Sequence, residues 1–307
     1  MMQGGVRAGV AARSETALRR TAGRGKLAVM VLITWCCLSV SPCHGEVIHL
    51  GRASDFAVLG STGTHITISG PSGVTGDLGV GPNGFGEFSG SAFVTGSTLV
   101  DPTAGVRTSG SASINPTVSQ VAPAIDDALQ ASARIAALAP TQTFGDINDF
   151  ATITGNGGAN VIAAQSIRLS GSDTLTLAGG PHDSFLFNVP GRFNLSGTSA
   201  IKLTGGVVPT NVLFNVLGPE DVGKVELTGK TIGVGTFLVP ERSFSFGPSV
   251  IEGSVFAGGK DIQIHSGAHL TQPLSTPDTA PEPATLTLMA VGALALAGYG
   301  WRRCRES

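Results

Sequence analysis

The sequence predicts a mainly β solenoid with one long α-helix packed along its outside. Short apolar–polar alternations fill the chain, they return at nearly constant spacing, and one proline-bracketed segment departs from them with helical periodicity.

The alternations include Ile66-Thr67-Ile68, Ile167-Arg168-Leu169, Thr174-Leu175-Thr176-Leu177, Ile201-Lys202-Leu203 and Ile262-Gln263-Ile264. Successive strand side chains point to opposite faces, so each run reads as a short half-buried strand. The glycines between runs suit corners, where a Cβ would obstruct the turn.

The recurrence selects the architecture. Ile167-Arg168-Leu169-Ser170-Gly171 returns as Phe193-Asn194-Leu195-Ser196-Gly197, and Leu175–Gly180 returns as Ile201–Gly206, both 26 residues on. Phe185-Leu186-Phe187-Asn188-Val189 returns at 27 as Val212-Leu213-Phe214-Asn215-Val216. Further on, Gly235–Val239 followed by Ser243–Gly247 returns after 18 residues as Gly253–Ala257 followed by Asp261–His265. A unit of this length with several strands marks stacked coils about 4.8 Å apart. A β-sandwich of unrelated hairpins would alternate too, but gives no reason for the landmarks to recur.

Val118–Leu138 breaks the pattern. It places Val121, Ile125, Ala128, Leu129, Ser132, Ile135 and Ala136 near one helical stripe, between Pro116 and Pro140, with Pro123 in its first turn. A helix is too wide for a narrow coil, so it is expected alongside the stack. Asp126 and Asp127 suit the positive end of that helix and are read as structural.

The two ends read as targeting segments. Arg19, Arg20, Arg24 and Lys26 precede the apolar Leu27–Val40, and small residues follow near Gly45. This is the pattern of a secretory signal peptide with a long leader, expected over residues 1–45. At the other end Pro281-Glu282-Pro283 precedes Ala284–Gly300, an uncharged 17-residue run followed by Arg302, Arg303 and Arg305. As a helix it would measure about 25 Å, enough to cross a bilayer marginally. The three arginines are expected on the cytoplasmic side. An ordinary membrane anchor has the same physics. The order of the parts, at the extreme end, resembles the PEP-CTERM sorting signal of Gram-negative bacteria over residues 281–305. That resemblance implies exosortase and the Sec machinery as partners, a transient inner-membrane tether through residues 284–300, and delivery to the cell surface, outer envelope or extracellular matrix. Residues 271–280 have the Pro/Thr composition of a linker.

Between these ends the composition shifts. All four cysteines (Cys36, Cys37, Cys43, Cys304), both tryptophans and the single tyrosine lie outside residues 46–280. The body must therefore hold together without disulfides. Within it 18 Asp/Glu face 10 Lys/Arg, a net charge near −8. Nucleic-acid binding would need a basic patch, so it is excluded as a function class.

The body also resembles a family. Leu50-Gly51-Arg52-Ala53-Ser54-Asp55-Phe56-Ala57-Val58-Leu59-Gly60 and Ser72-Gly73-Val74-Thr75-Gly76-Asp77-Leu78-Gly79-Val80 are similar to the opening of the DUF3494 ice-binding proteins. The order of first strands, long helix and repeated coils fits as well. The resemblance covers residues 48–272 and implies a discontinuous right-handed β-helix over residues 46–270, with its helix at about 118–138. It implies a non-enzymatic binding role toward ice or another surface ligand.

Ice binding demands a flat strand face with small residues in ranks. Thr67, Thr75, Thr95, Thr176, Thr204 and Thr228 are the candidate ligand-face residues. Threonine is also an ordinary strand former, and Arg168 and Lys202 fall in outward slots that a flat face would avoid. The alternative is a structural or adhesive protein of the exopolysaccharide or biofilm matrix, with extracellular polysaccharide as the ligand. A polysaccharide-acting enzyme ranks lower, since adjacent coils show no acidic and basic cluster. Gly79–Gly84 satisfies GxGxxG but contains Pro82 and lacks a βαβ setting. His265 and His269 would stand about 13 Å apart on strands. The expectation is no enzyme, cofactor or metal.

Overall fold

The computed structural model describes residues 49–273. The expected signal peptide, the residues of the linker beyond Pro273, the sorting motif and the span 284–300 lie outside the described residues. Among the described residues no helix is long and apolar enough to cross a membrane.

The chain forms a parallel β-helix that is discontinuous in sequence order. Three coils come first: β1 (Phe56–Gly60), β2 (His65–Ser69) and β3 (Gly73–Thr75), then β4 (Asp77–Val80), β5 (Phe85–Ser89) and β6 (Phe93–Val94), then β7 (Thr98–Val100) and β8 (Gly105–Thr108). β9 (Pro116–Val118) ends this stack, and the helix α1 (Ala122–Ala136) follows. Coils then resume with β10 (Gln142–Ile147) and β11 (Ala151–Thr154), β12 (Ala159–Leu169) and β13 (Thr174–Ala178), and β14 (Ser184–Val189), β15 (Phe193–Leu195) and β16 (Ala200–Thr204). They finish with β17 (Val212–Val216), β18 (Val225–Thr228), β19 (Ile232–Val239), β20 (Phe244–Gly247), β21 (Val250–Ala257), β22 (Asp261–Ile264) and β23 (His269–Thr271).

The sequence repeats are the strand pairs. Ile167 partners Phe193, Leu175 partners Ile201 and Phe185 partners Val212. Likewise Gly235 partners Gly253 and Phe244 partners Ile262. Apolar residues of these strands fill the interior. There Phe187, Phe214 and Phe237, on successive coils, stack with ring centroids 4.6 and 5.3 Å apart.

Two features escaped the periodicity. The early coils repeat at 20 residues, since His65 partners Phe85 and Phe85 partners Gly105. The last coil then docks on the first: Val58 pairs with Val255, Ile66 with Ile262 and Val74 with Leu270. The chain thus starts mid-stack, builds to one end, returns along α1 and builds back to the seam. Beside it, the Gln272 amide donates to the Ser54 carbonyl at 2.7 Å.

α1 is shorter than the expected 118–138, because Pro116–Val118 extends as β9 and Pro123 occupies the first turn of the helix. Its buried face also differs: Ala124 and Ala131 join Val121, Ile125, Ala128, Ser132 and Ile135, whereas Leu129 and Ala136 are exposed. The strip under α1 is apolar, formed by Leu59, Val161, Leu186, Leu213, Leu238 and Phe256. These lie on six successive strands, spanning roughly 24 Å, which the 15-residue helix matches at about 22 Å. Two hydrogen-bonded asparagines key it in place. Asn215 accepts from the Ser132 hydroxyl at 2.7 Å and donates to the Ser132 carbonyl at 3.0 Å, while Asn188 donates to the Ile135 carbonyl at 2.8 Å. Asp127 makes no cap for α1; it accepts the Arg52 backbone N–H at 2.9 Å, in the first turn of the short 3-10 helix Gly51–Asp55, and ties that segment down.

Leu213 is fully buried and Leu129 is 39% exposed. Leu213→Ala is expected to cost about 2–5 kcal/mol and Leu129→Ala less than about 0.5 kcal/mol, both read by denaturant titration.

Candidate functional site

Each coil contributes to three parallel ladders, and their outward residues differ. The first ladder (β9, β7, β4, β1, then β17, β14 and the adjoining parts of β21, β19, β12 and β10) lies against α1 along its middle, which removes that strip from solvent.

The second ladder is charged. Its central outward rank runs Arg107, Glu87, Thr67, Gln263, Ser245, Glu226, Asn194, Arg168 on consecutive strands. Arg168 pairs with Asp146 at 3.3 Å and Lys224 with Glu226 at 3.0 Å. His65 lies 3.8 Å from Glu87 and edge-on to Phe85.

The third ladder is small, apolar and threonine-rich. Thr152 partners Thr176 and Thr176 partners Lys202; beside them lie Thr154, Ala178 and Thr204. Nearer the seam Glu252 partners Thr271 and Thr271 partners Thr75. Thr95 is next in this rank, its hydroxyl accepting the Gly76 N–H at 3.2 Å. A parallel rank reads Thr174, Ala200, Ile232, Val250, His269, Gly73, Phe93. Ile232 and Val250 are 46% and 48% exposed. The Phe93 ring lies across Gly73, where any Cβ would collide with it. β19 and β21 pass from this ladder to the helix-covered one at Gly235 and Gly253. Gly235 turns at φ +108°, and a Cβ on Gly253 would strike its carbonyl oxygen.

The six expected ligand-face threonines are therefore divided. Thr75, Thr95, Thr176 and Thr204 share the third ladder, while Thr67 and Thr228 stand on the charged one, Thr228 opposite Gly247. Arg168 and Lys202 likewise occupy different ladders, so of these two Lys202 alone falls in the threonine ranks, which Glu252 also interrupts. Thr271, assigned above to the linker, belongs to β23. Ile232 and Val250 were missed because an apolar outward residue has no signature in alternation until its partner strands are known.

Electrostatic perturbation lies at the corners. Asp183 is 3% exposed. Burial pushes its carboxyl up, but N–H donors from Gly180, Asn160, Gly157 and Gly158 outweigh that and hold it below the ordinary value. The fully buried Arg242 is pushed down by burial, against the opposing pull of Glu220 and with a further push from Arg192. It donates to the carbonyls of Gly223, Gly191 and Leu217 at 2.6, 2.7 and 3.2 Å, stapling successive corners. Both groups brace the coils rather than line the threonine ladder. Among the described residues no group of three or more His, Cys, Asp or Glu is placed to hold a metal ion.

A parallel β-helix with one helix-covered flank and two open strand faces is a scaffold that presents surfaces. Comparison with known proteins places it further. A model described as ice-binding-like matches residues 59–270, and the PEP-CTERM protein-sorting motif matches residues 279–304. The chain belongs to the ice-binding-like family and ends in that sorting motif. An ice-binding protein of Flammulina populicola is 30% identical over 208 residues, 59% of this chain and 75% of that protein. The fold is shared with the ice-binding protein of an Antarctic Flavobacteriaceae bacterium at a TM-score of 0.58 and 23% identity, over 75% of this chain and 48% of that one. It is shared with one from an Antarctic biological consortium at 0.54 and 22%, over 75% and 92%. The DUF3494 domain of a Shewanella frigidimarina ice-binding protein gives 0.51 and 19%, over 76% and 100%.

A carboxyl held low in the folded state stabilises the fold above its unfolded pKa of about 3.9. That contribution is lost as pH falls through the lower folded value. Thermal melts should therefore show stability dropping below about pH 4. Asp183→Asn should melt lower near neutrality and lose less on acidification than the parent.

Proposed function

We propose that the third ladder binds ice, on a protein that is exported through the Sec machinery and sorted by an exosortase to the cell surface. Membership of the ice-binding-like family supports a binding rather than catalytic role. The observation that carries the choice of face is the pair of threonine ranks, Thr152–Thr176 and Thr271–Thr75–Thr95, flanked by apolar Ile232 and Val250. Strand pairing spaces such ranks at about 4.8 Å. Hydroxyls and methyl groups at that spacing can order water without the tightly held hydration shells of charged groups. α1 already covers the middle of the first ladder, and the second carries charge along its length. Lys202 and Glu252 break the central rank into two patches, so the native activity is expected to be modest. The proposed organisation is a signal peptide over 1–45, the β-helix to Thr271, a short linker, and a sorting signal over 281–305 with its membrane span at 284–300.

Thr75→Tyr and Thr176→Tyr should each abolish most of the thermal hysteresis of the purified protein, and Lys202→Thr should raise it. Thr67→Tyr, on the charged ladder, should leave it unchanged. Absence of both thermal hysteresis and recrystallisation inhibition in the parent protein would refute the reading.

Replacing Pro281, Glu282 and Pro283 with alanine should leave the protein in the inner membrane when the fractions are probed by immunoblot. Unaltered surface delivery would remove exosortase from the proposal.

A further inference from the structure

We propose that the end of the charged ladder nearest β10 binds an acidic saccharide. An open hollow of about 330 Å³ lies there, lined chiefly by Asn148, Arg168, Ser170, Arg192, Asn194 and Ser196. Its volume falls at the lower end for small-molecule sites and suits one or two sugar rings.

The lining is chemically selective. Arg168 and Asn194 are strand partners, and Arg192, at the corner just before β15, lines the same hollow. Two arginines thus line one hollow in a body whose net charge is near −8. Arginine forks match carboxylate and sulfate oxygens in a bidentate manner. The carboxylate of Asp146, 3.3 Å from Arg168 in an exposed pair, shows that such a group fits beside it. Exposed pairs of this kind contribute little and exchange readily. The buried Arg242 grips the Gly191 carbonyl immediately before Arg192 at 2.7 Å. That fixes the corner from which Arg192 projects.

Asn148, Asn194, Ser170 and Ser196 supply amides and hydroxyls suited to sugar hydroxyls. The Asn194 amide donates to the Glu226 carboxylate at 3.1 Å and the Ser196 hydroxyl to the Leu169 carbonyl at 3.4 Å, contacts that a bound sugar shares or displaces. No aromatic side chain lines the hollow, so recognition rests on charge and hydrogen bonds rather than ring stacking. The hollow lies on a different ladder from the threonine ranks, so a bound saccharide leaves that face open.

Calorimetric titration of the purified protein with trigalacturonate, a heparin tetrasaccharide, maltotriose and inorganic sulfate tests the proposal. Binding of trigalacturonate or of the heparin fragment, with maltotriose and inorganic sulfate weaker, is expected, and the stronger of the two identifies the anion as carboxylate or sulfate. Arg192→Gln and Arg168→Gln should each weaken binding roughly tenfold. Arg107→Gln, at the far end of the same ladder, should not, and none of the three should alter thermal hysteresis. The proposal is overturned if neither acidic saccharide binds, if inorganic sulfate binds as well as they do, or if Arg192→Gln and Arg168→Gln melt like the parent and bind undiminished.

Discussion

The structure depends on closing a ladder between strands from opposite ends of the body. β1 sits between β4 and β21, and Val58 meets Val255. Bringing such distant positions together carries a loop-closure entropy on the order of 5 kcal/mol. If the seam stayed open, each half-stack would also expose three raw strand edges. β1, β2 and β3 meet β21, β22 and β23 on all three ladders at once. The closure is therefore a whole coil of pairing rather than one strand.

α1 makes that closure possible. A continuous solenoid can grow by adding coils to its end, but here the chain must reach the far end before building back. The helix covers this distance while burying the outward apolar residues of six strands, including Leu186, Leu213 and Leu238. Asn188 and Asn215 set its position along the ladder by binding Ser132 and Ile135. The same strut removes one face from solvent, so any surface ligand has two ladders left. Fold completion and face selection thus share one element.

Much of this was legible in the sequence, for an identifiable reason. Coil stacking places equivalent residues in register, so a repeat of apolar landmarks is a record of strand pairing; Leu175 and Ile201 were matched by spacing and are partners. The class of protein was readable in the opening segments Leu50–Gly60 and Ser72–Val80. The seam left no such trace, because β1 and β21 are neighbours in space without being successive repeats. Asp183 and Arg242 were also invisible. Each acts through backbone groups brought together at corners, Asp183 gathering the N–H groups of Gly157, Gly158 and Gly180, and Arg242 the carbonyls of Gly191, Leu217 and Gly223. The candidate face was half legible: threonines could be found, but alternation separates inside from outside and does not say which of three outsides a residue joins. Thr67 and Thr176 look alike in sequence and stand on different ladders.

That ambiguity has a physical consequence for how such a body acquires function. Inward positions answer to close packing, where Phe187, Phe214 and Phe237 must fit one another. Outward positions away from α1 answer to solubility and ligand instead, so the second and third ladders can diverge on one scaffold. The third keeps charge to Lys202 and Glu252, whereas the second places a charged or amide side chain at six of the eight positions of its central rank. A strongly hydrated charge opposes ordered water on a flat face, and a flat uncharged face offers nothing to an anion. Two ligand chemistries incompatible on one surface therefore require separate ladders, and the stack of coils supplies them.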